Sequence, residues 1–177
     1  ALSAFQEFSI ENLADSALYL MDKLYPRFKE KIWVFVGTHG IQLFQKLGEH
    51  PVKQAEFGIG VTGMLRTESE EKFEWYCEVE KLLLNQHNRS QCSKKYFLIW
   101  ARLAAEYRNV DEALASLRQG RGTKDEFKKI SFTFFERGEF ENGTRVMKES
   151  PEDGLIEEEC FVVLLSRGLS NPALCKA

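Results

Sequence analysis

Apolar residues recur along this chain at intervals of three and four, the period of an amphipathic helix. Ile10, Leu13, Ala14, Ala17, Leu18, Met21 and Leu24 follow it, with Asp15, Asp22 and Lys23 between them. Pro26 suits the first turn of a second helix. There Phe28, Ile32, Phe35, Phe44 and Leu47 can share a face, and Gly48 can end the run. Residues 32–36 are also β-branched and aromatic, so a short strand competes at that point. No partner strand is visible, and helix is expected.

Thr67 and Glu70 have capping-box spacing. The helix after them sets Phe73, Tyr76, Cys77, Leu83 and Leu84 against an acidic face, and the polar residues 85–91 end it. From Lys94 the pattern is helix, short turn, helix, and Thr123 with Glu126 gives a second capping-box match. Residues 150–154, SPEDG, read as a turn. A last helix is expected over residues 155–167, stopped by Gly168 and Asn171-Pro172. Every strong periodic segment is helical. The expected fold is therefore all-α, built of stacked antiparallel helix pairs in one domain over residues 1–177. Residues 1–66 would supply N-terminal helices and residues 67–177 a repeat-like core.

The repeat shows as an offset of 30 residues. Ala105 then lies over Phe135, Val110 over Phe140, Ala113 over Gly143 and Leu117 over Met147; upstream, Trp100 lies over Ile130 and Ala104 over Phe134. Arg137-Gly138 recurs as Arg167-Gly168. A period of this length with two helices per unit marks stacked helical repeats, whose pairs need neighbours to bury their apolar faces. Trp100, Leu103, Ala104 and Tyr107 also match the first-helix signature of a tetratricopeptide repeat, but the second helix follows Tyr107 about three residues too soon for a regular unit.

The shortened form resembles the repeat core in the N-terminal domains of the mitotic spindle-checkpoint kinases and their kinase-less relatives. Lys95-Tyr96, Trp100, Gly120, Phe127, Phe134 and Gly138 sit in matching places. The resemblance covers about a third of the chain. The second unit lacks Trp and has Gly143-Thr144 where an Ala pair is usual, and residues 1–66 have no counterpart. What the resemblance implies is a scaffold without catalysis, which docks short peptides from kinetochore or other assembly partners in a groove between helices.

Composition narrows the function classes. A net charge of −3 argues against a dedicated nucleic-acid binder, which needs an excess of Lys and Arg on one face. No apolar run is long enough for a transmembrane helix, and the opening residues have no basic n-region of a signal peptide. Cys77, Cys92, Cys160 and Cys175 form no CxxC pair and no disulfide framework, so free thiols and an intracellular location, cytoplasm or nucleus, are expected. Asn88-Arg-Ser and Asn142-Gly-Thr match the glycosylation sequon by chance.

Candidate chemistry is sparse. Gly58, Gly60 and Gly63 spell GxGxxG, but the residues before them are polar and open with Pro51 instead of forming a strand. The bland reading is that they let helices approach closely or bend. His39, His50 and His87 show no metal-ligand spacing, and no nucleophile motif occurs. No cofactor, metal or catalytic residue is assigned. The best anion-binding candidate is the loop containing Arg118 and Arg121. With Phe127, Ile130 and Phe134 turned inward on one helix and Ile99, Trp100, Leu103 and Tyr107 on another, Lys95, Arg102, Ala105, Lys128, Lys129 and Phe132 are left facing out. Arg102, Lys128, Lys129 and Phe132, with Arg118 and Arg121, are the expected partner-binding residues, suited to an acidic peptide with an apolar anchor. The expected function is a non-catalytic helical-repeat interaction module. Two alternatives compete: a helical RNA-binding or regulatory protein using the basic loop, and an enzyme or ligand-binding protein with a pocket between Gly37 and Gly63.

Overall fold

The computed structural model describes residues 9–151. Among them all regular structure is helical. The chain forms α1 (Ile10–Phe35), a π turn (Val36–Gly40), α2 (Ile41–Lys46), a 3-10 turn (Leu47–Glu49), α3 (Pro51–Met64) and α4 (Glu70–Leu83). There follow α5 (Gln86–Gln91), α6 (Lys94–Glu106), α7 (Val110–Gly120), α8 (Lys124–Glu136) and α9 (Phe140–Lys148). The expected helix at residues 155–167 lies outside the described residues, as do Cys160, Cys175 and most of the 150–154 turn.

α1 does not run straight. Phe28 has φ −135° and ψ 39°, outside the helical range, two residues after Pro26, whose ring removes a backbone donor. An unbroken helix from Ile10 to Lys46 would separate its ends by about 55 Å. Instead His50 Nδ1 lies 3.2 Å from Glu11 Oε1. Trp33 Nε1 donates to the carbonyl of Met64, 2.9 Å away, at the far end of α3. The chain therefore folds back at Phe28. Pro26 starts no separate helix but breaks one, close to the position where the sequence expects a second. Ile32 and Val36, four apart, are both buried on the returning limb, so residues 32–36 are helical and not a strand.

α3 is the centre of this half. Residues from Ala55 to Thr62 are buried without interruption, which an amphipathic surface helix does not allow. Its glycines explain how so many neighbours fit. A Cβ at Gly58 would overlap Val79 of α4 and come within 2.9 Å of Phe44 in α2; one at Gly60 would meet Leu18 of α1 at 2.7 Å; one at Gly63 would meet Ile99 of α6 at 2.8 Å. Each glycine admits a different helix, which is the close-approach reading of the GxGxxG string. Gly58→Ala should therefore lower the melting temperature, because overpacking costs about 1–3 kcal/mol and outweighs the helix-propensity gain of about 1 kcal/mol. Gly48 has nothing within 4 Å of a would-be Cβ, so Gly48→Ala should be neutral or stabilising. Equal melting shifts of the two variants in thermal denaturation would refute this account of α3.

In the second half two helix pairs start 30 residues apart. α6 spans Lys94–Glu106 and α8 spans Lys124–Glu136; α7 starts at Val110 and α9 at Phe140. Both connecting turns use a residue with positive φ, Arg108 at 62° and Gly138 at 77°. Each closes with the same long-range bond, Asn109 N to Ala104 O at 2.8 Å and Glu139 N to Phe134 O at 3.0 Å. Trp100, Ala104, Ile130 and Phe134 are all buried, as are Ala113, Leu117, Gly143 and Met147. The Thr123–Glu126 capping box is formed.

Four local expectations fail. Ser69, not Thr67, caps α4, accepting from Lys72 N at 3.2 Å. Phe73 and Leu84 are 50% and 74% exposed; α4 buries the expected Tyr76 and Leu83 together with Trp75 and Val79. The face is set by Val79 against Gly58, a contact no local pattern announces. Residues 85–91 do not simply end a helix, because the Asn85 side chain accepts from His87 N and Asn88 N and starts the short α5. Ala105 does not face outward. It is fully buried, and its carbonyl accepts a hydrogen bond from Arg137, the residue that follows α8, at 3.3 Å.

Candidate functional site

The site is built from three helices that run side by side in the same direction. Glu56, in the first half of α3, accepts from Ser93 N just before α6, at 2.7 Å. Lys53 on α3 reaches Asp15 on α1 at 3.0 Å. The opposite ends also match, since Gly63 touches Ile99. α1 and α6 thus flank α3, and between them lies an open cavity of about 930 Å³. That is near the upper end for a small-molecule cleft.

α3 supplies the floor. Lys53, Glu56, Gly60, Gly63 and Met64 line it, recurring on one stripe of that helix. The two glycines keep the floor low where Leu18, Ile99 and Leu103 add apolar surface from the sides. α1 supplies an acidic wall of Asp15, Tyr19, Asp22 and Tyr25, and α6 a basic wall of Lys95, Tyr96 and Arg102. Tyr19 is 63% exposed at the rim.

The charges at the two ends are spent differently. At the near end, Lys53 bridges Asp15 and the buried Glu56, whose other oxygen holds the Ser93 amide. The Lys95 ammonium lies over the Tyr96 ring at 4.7 Å. At the far end, Asp22 and Arg102 are both exposed, and neither makes an ion pair or hydrogen bond among the described residues. Glu106, beside them, is held by the buried Lys72 of α4 at 2.6 Å. Arg137 donates to the Glu106 carbonyl. Two cations at the C-terminal end of α6 oppose its negative dipole end, and they fix the wall that carries Arg102.

Burial shapes the titration of this region. It pushes the Cys92 thiol up to about 11, and the Tyr96 and Tyr107 phenols each up to about 12. Nearby carboxylates, Glu56 for the first two and Glu106 for Tyr107, push the same way. The folded protein then keeps protons that the unfolded chain releases above its ordinary thiol and phenol values of 9.0 and 10.0. Stability contributed by these groups is complete below pH about 9 and falls as pH rises toward 12. Urea unfolding at pH 8 and at pH about 10.5 should show a lower midpoint at the higher value; an unchanged midpoint would contradict it.

Of the six residues expected to bind a partner, only Arg102 lines the cavity. Lys128, Lys129 and Phe132 lie on α8. Phe132 is half-buried, edge-on to Phe135 at 6.4 Å in a small cluster with Phe140. Arg118 is exposed but paired with Glu149. Arg121 occupies the left-handed position that ends α7, at φ 55°. The Arg118–Arg121 loop is therefore a helix stop with one cation neutralised. Gly37 to Gly63, the alternative pocket region, is helix, and only its α3 stripe reaches the cavity. Sequence reasoning missed the α1 wall. The signal was present, since Asp15 and Asp22 are seven residues apart, as are Lys95 and Arg102.

Among the described residues no helix is long and apolar enough to cross a membrane. No family model, no curated protein and no solved structure matches this chain.

Proposed function

We propose that this chain is a non-catalytic, tetratricopeptide-like interaction module that holds a protein partner in the trough between α1 and α6. One observation carries the reading: an open cavity with an apolar glycine floor, flanked by the exposed Asp22 and Arg102, which form no pair within the described residues. A solvated surface gives no reason for opposite charges to face one another over apolar surface, whereas recognition does. The repeat offset and the resemblance to spindle-checkpoint domains support the same class of role, scaffolding in an assembly of that kind. The pairing of Arg118 with Glu149 weakens one of the features that favoured RNA. A photo-crosslinking residue at position 19, on the trough rim, should give a protein adduct in cells that disappears with Arg102→Glu. The same residue at position 78, on α4, should give none. Equal adducts at both positions, or crosslinks to nucleic acid alone, would defeat the proposal.

A further inference from the structure

The shape and chemistry of the trough also specify its occupant. The floor is the side of a helix, so its backbone amides and carbonyls are already bonded within α3. No sheet edge is offered. An extended segment laid over Gly60, Gly63, Met64 and Leu103 would place its own amides and carbonyls on apolar surface without partners, at a cost for each. A helix satisfies those groups internally. Helices pack at about 8–10 Å between axes, so walls on either side of α3 leave room for one more helix above it. From Lys53 to Met64 the floor is about 16 Å long, which matches three helical turns.

The walls are two charged rails. Asp15 and Asp22 stand two turns apart on α1, and Lys95 and Arg102 two turns apart on α6. Seven-residue spacing on parallel helices is the spacing at which the edges of a packed helix present charge. We propose that the trough takes an amphipathic α-helix of a protein partner. Its small or apolar seam lies on Gly63 and Met64, its acidic edge faces Lys95 and Arg102, and its basic edge faces Asp15 and Asp22. Because the rails differ in sign, a given helix fits in one direction only. Asp22 and Arg102 carry most of the discrimination, since Asp15 already holds Lys53 and Lys95 already covers Tyr96.

This inference rests on the interaction reading above and is tested separately from it. The probe is a display library of helical peptides of about 14 residues, with a fixed Leu/Ala seam and edge positions varied among Glu, Lys and Gln. Selection on the full chain should enrich Glu along one edge and Lys along the other at seven-residue spacing. For an enriched peptide, Arg102→Glu and Asp22→Lys should each weaken binding about tenfold, and the doubly exchanged protein should prefer the peptide with its edges exchanged. Both residues are exposed, so circular dichroism should show the variants folded. Failure to enrich, enrichment without edge charge, or affinities unmoved by either variant would overturn the proposal. Equal binding of a peptide carrying a central Pro would overturn the helical occupant while leaving the interaction module standing. Absence of the position-19 adduct in the protein with Arg102 intact would instead remove the module itself.

Discussion

Replacing Trp100 by Ala is expected to destabilise the protein by about 3–5 kcal/mol, the range for deleting a large buried aromatic side chain. Trp100 is fully buried on α6. Its ring stacks on Tyr76 of α4, with centroids 4.6 Å apart and planes 12° from parallel. Its indole N–H donates to Glu112 Oε1 on α7 at 2.8 Å. The side chain thus joins the N-terminal half, through α4, to the first unit of the C-terminal half. Total stability for a domain of this size is of order 5–15 kcal/mol, so the variant should unfold at a much lower urea concentration. Trp100→Phe keeps part of the stack and loses the hydrogen bond, and should fall between. A Trp100→Ala protein with the wild-type urea midpoint would show that the ring is not a packing residue.

The second large effect concerns the charge pair that Trp100 leans on. Arg89 on α5 donates to Gln119 Oε1 at 2.9 Å, to Glu112 Oε2 at 3.1 Å and to Ser116 Oγ at 3.2 Å. Its guanidinium also covers the Phe97 ring at 5.4 Å. Ser116 Oγ donates in turn to Glu112 Oε1 at 2.8 Å. Glu112→Leu leaves a largely buried guanidinium, an indole N–H and a hydroxyl without their common acceptor. The expected loss is about 3 kcal/mol, the low end for breaking a buried pair, because both side chains keep some contact with water. Arg89→Met should cost a similar amount. The double variant should recover much of the loss, since it removes both charges together. Additive single effects would mean that Arg89 and Glu112 act independently, against the shared network.

These networks mark where sequence reading reached and where it stopped. α6 and α8 start 30 residues apart, as do α7 and α9, at the spacing the sequence offset picks out. Trp100, Leu103, Phe127, Ile130 and Phe134, expected to face inward, are buried. Those assignments succeed because helix i, i+3, i+4 periodicity is a local property of the chain. The errors have the opposite cause. Ala105 looked like a spare outward position, but α8 packs over it. Phe73 and Leu84 looked like core, but the α4 face is turned by Val79 against Gly58. In each case a neighbour from a distant part of the chain decides which side of a helix is covered.

The proposed partner-binding residues divide the same way. Arg102 was legible because it lies opposite the core stripe of its own helix. Asp22 was not, because its wall belongs to a helix some eighty residues earlier in the chain. The pairing of Arg118 was not legible for a similar reason, since only the docked α9 brings Glu149 to it.

By itself, the sequence determined the helical class and the positions of most helices, including the 30-residue spacing of the α6 and α8 starts, because periodicity, caps and glycine stops act within a few residues. The tertiary structure alone decided the reversal at Phe28 that returns His50 to Glu11, the use of Gly58, Gly60 and Gly63 to seat separate helices around α3, and the meeting of an acidic α1 rail with a basic α6 rail. Those features depend on which helix faces meet, and that is settled by the shape of buried side chains from distant segments rather than by any pattern along one segment.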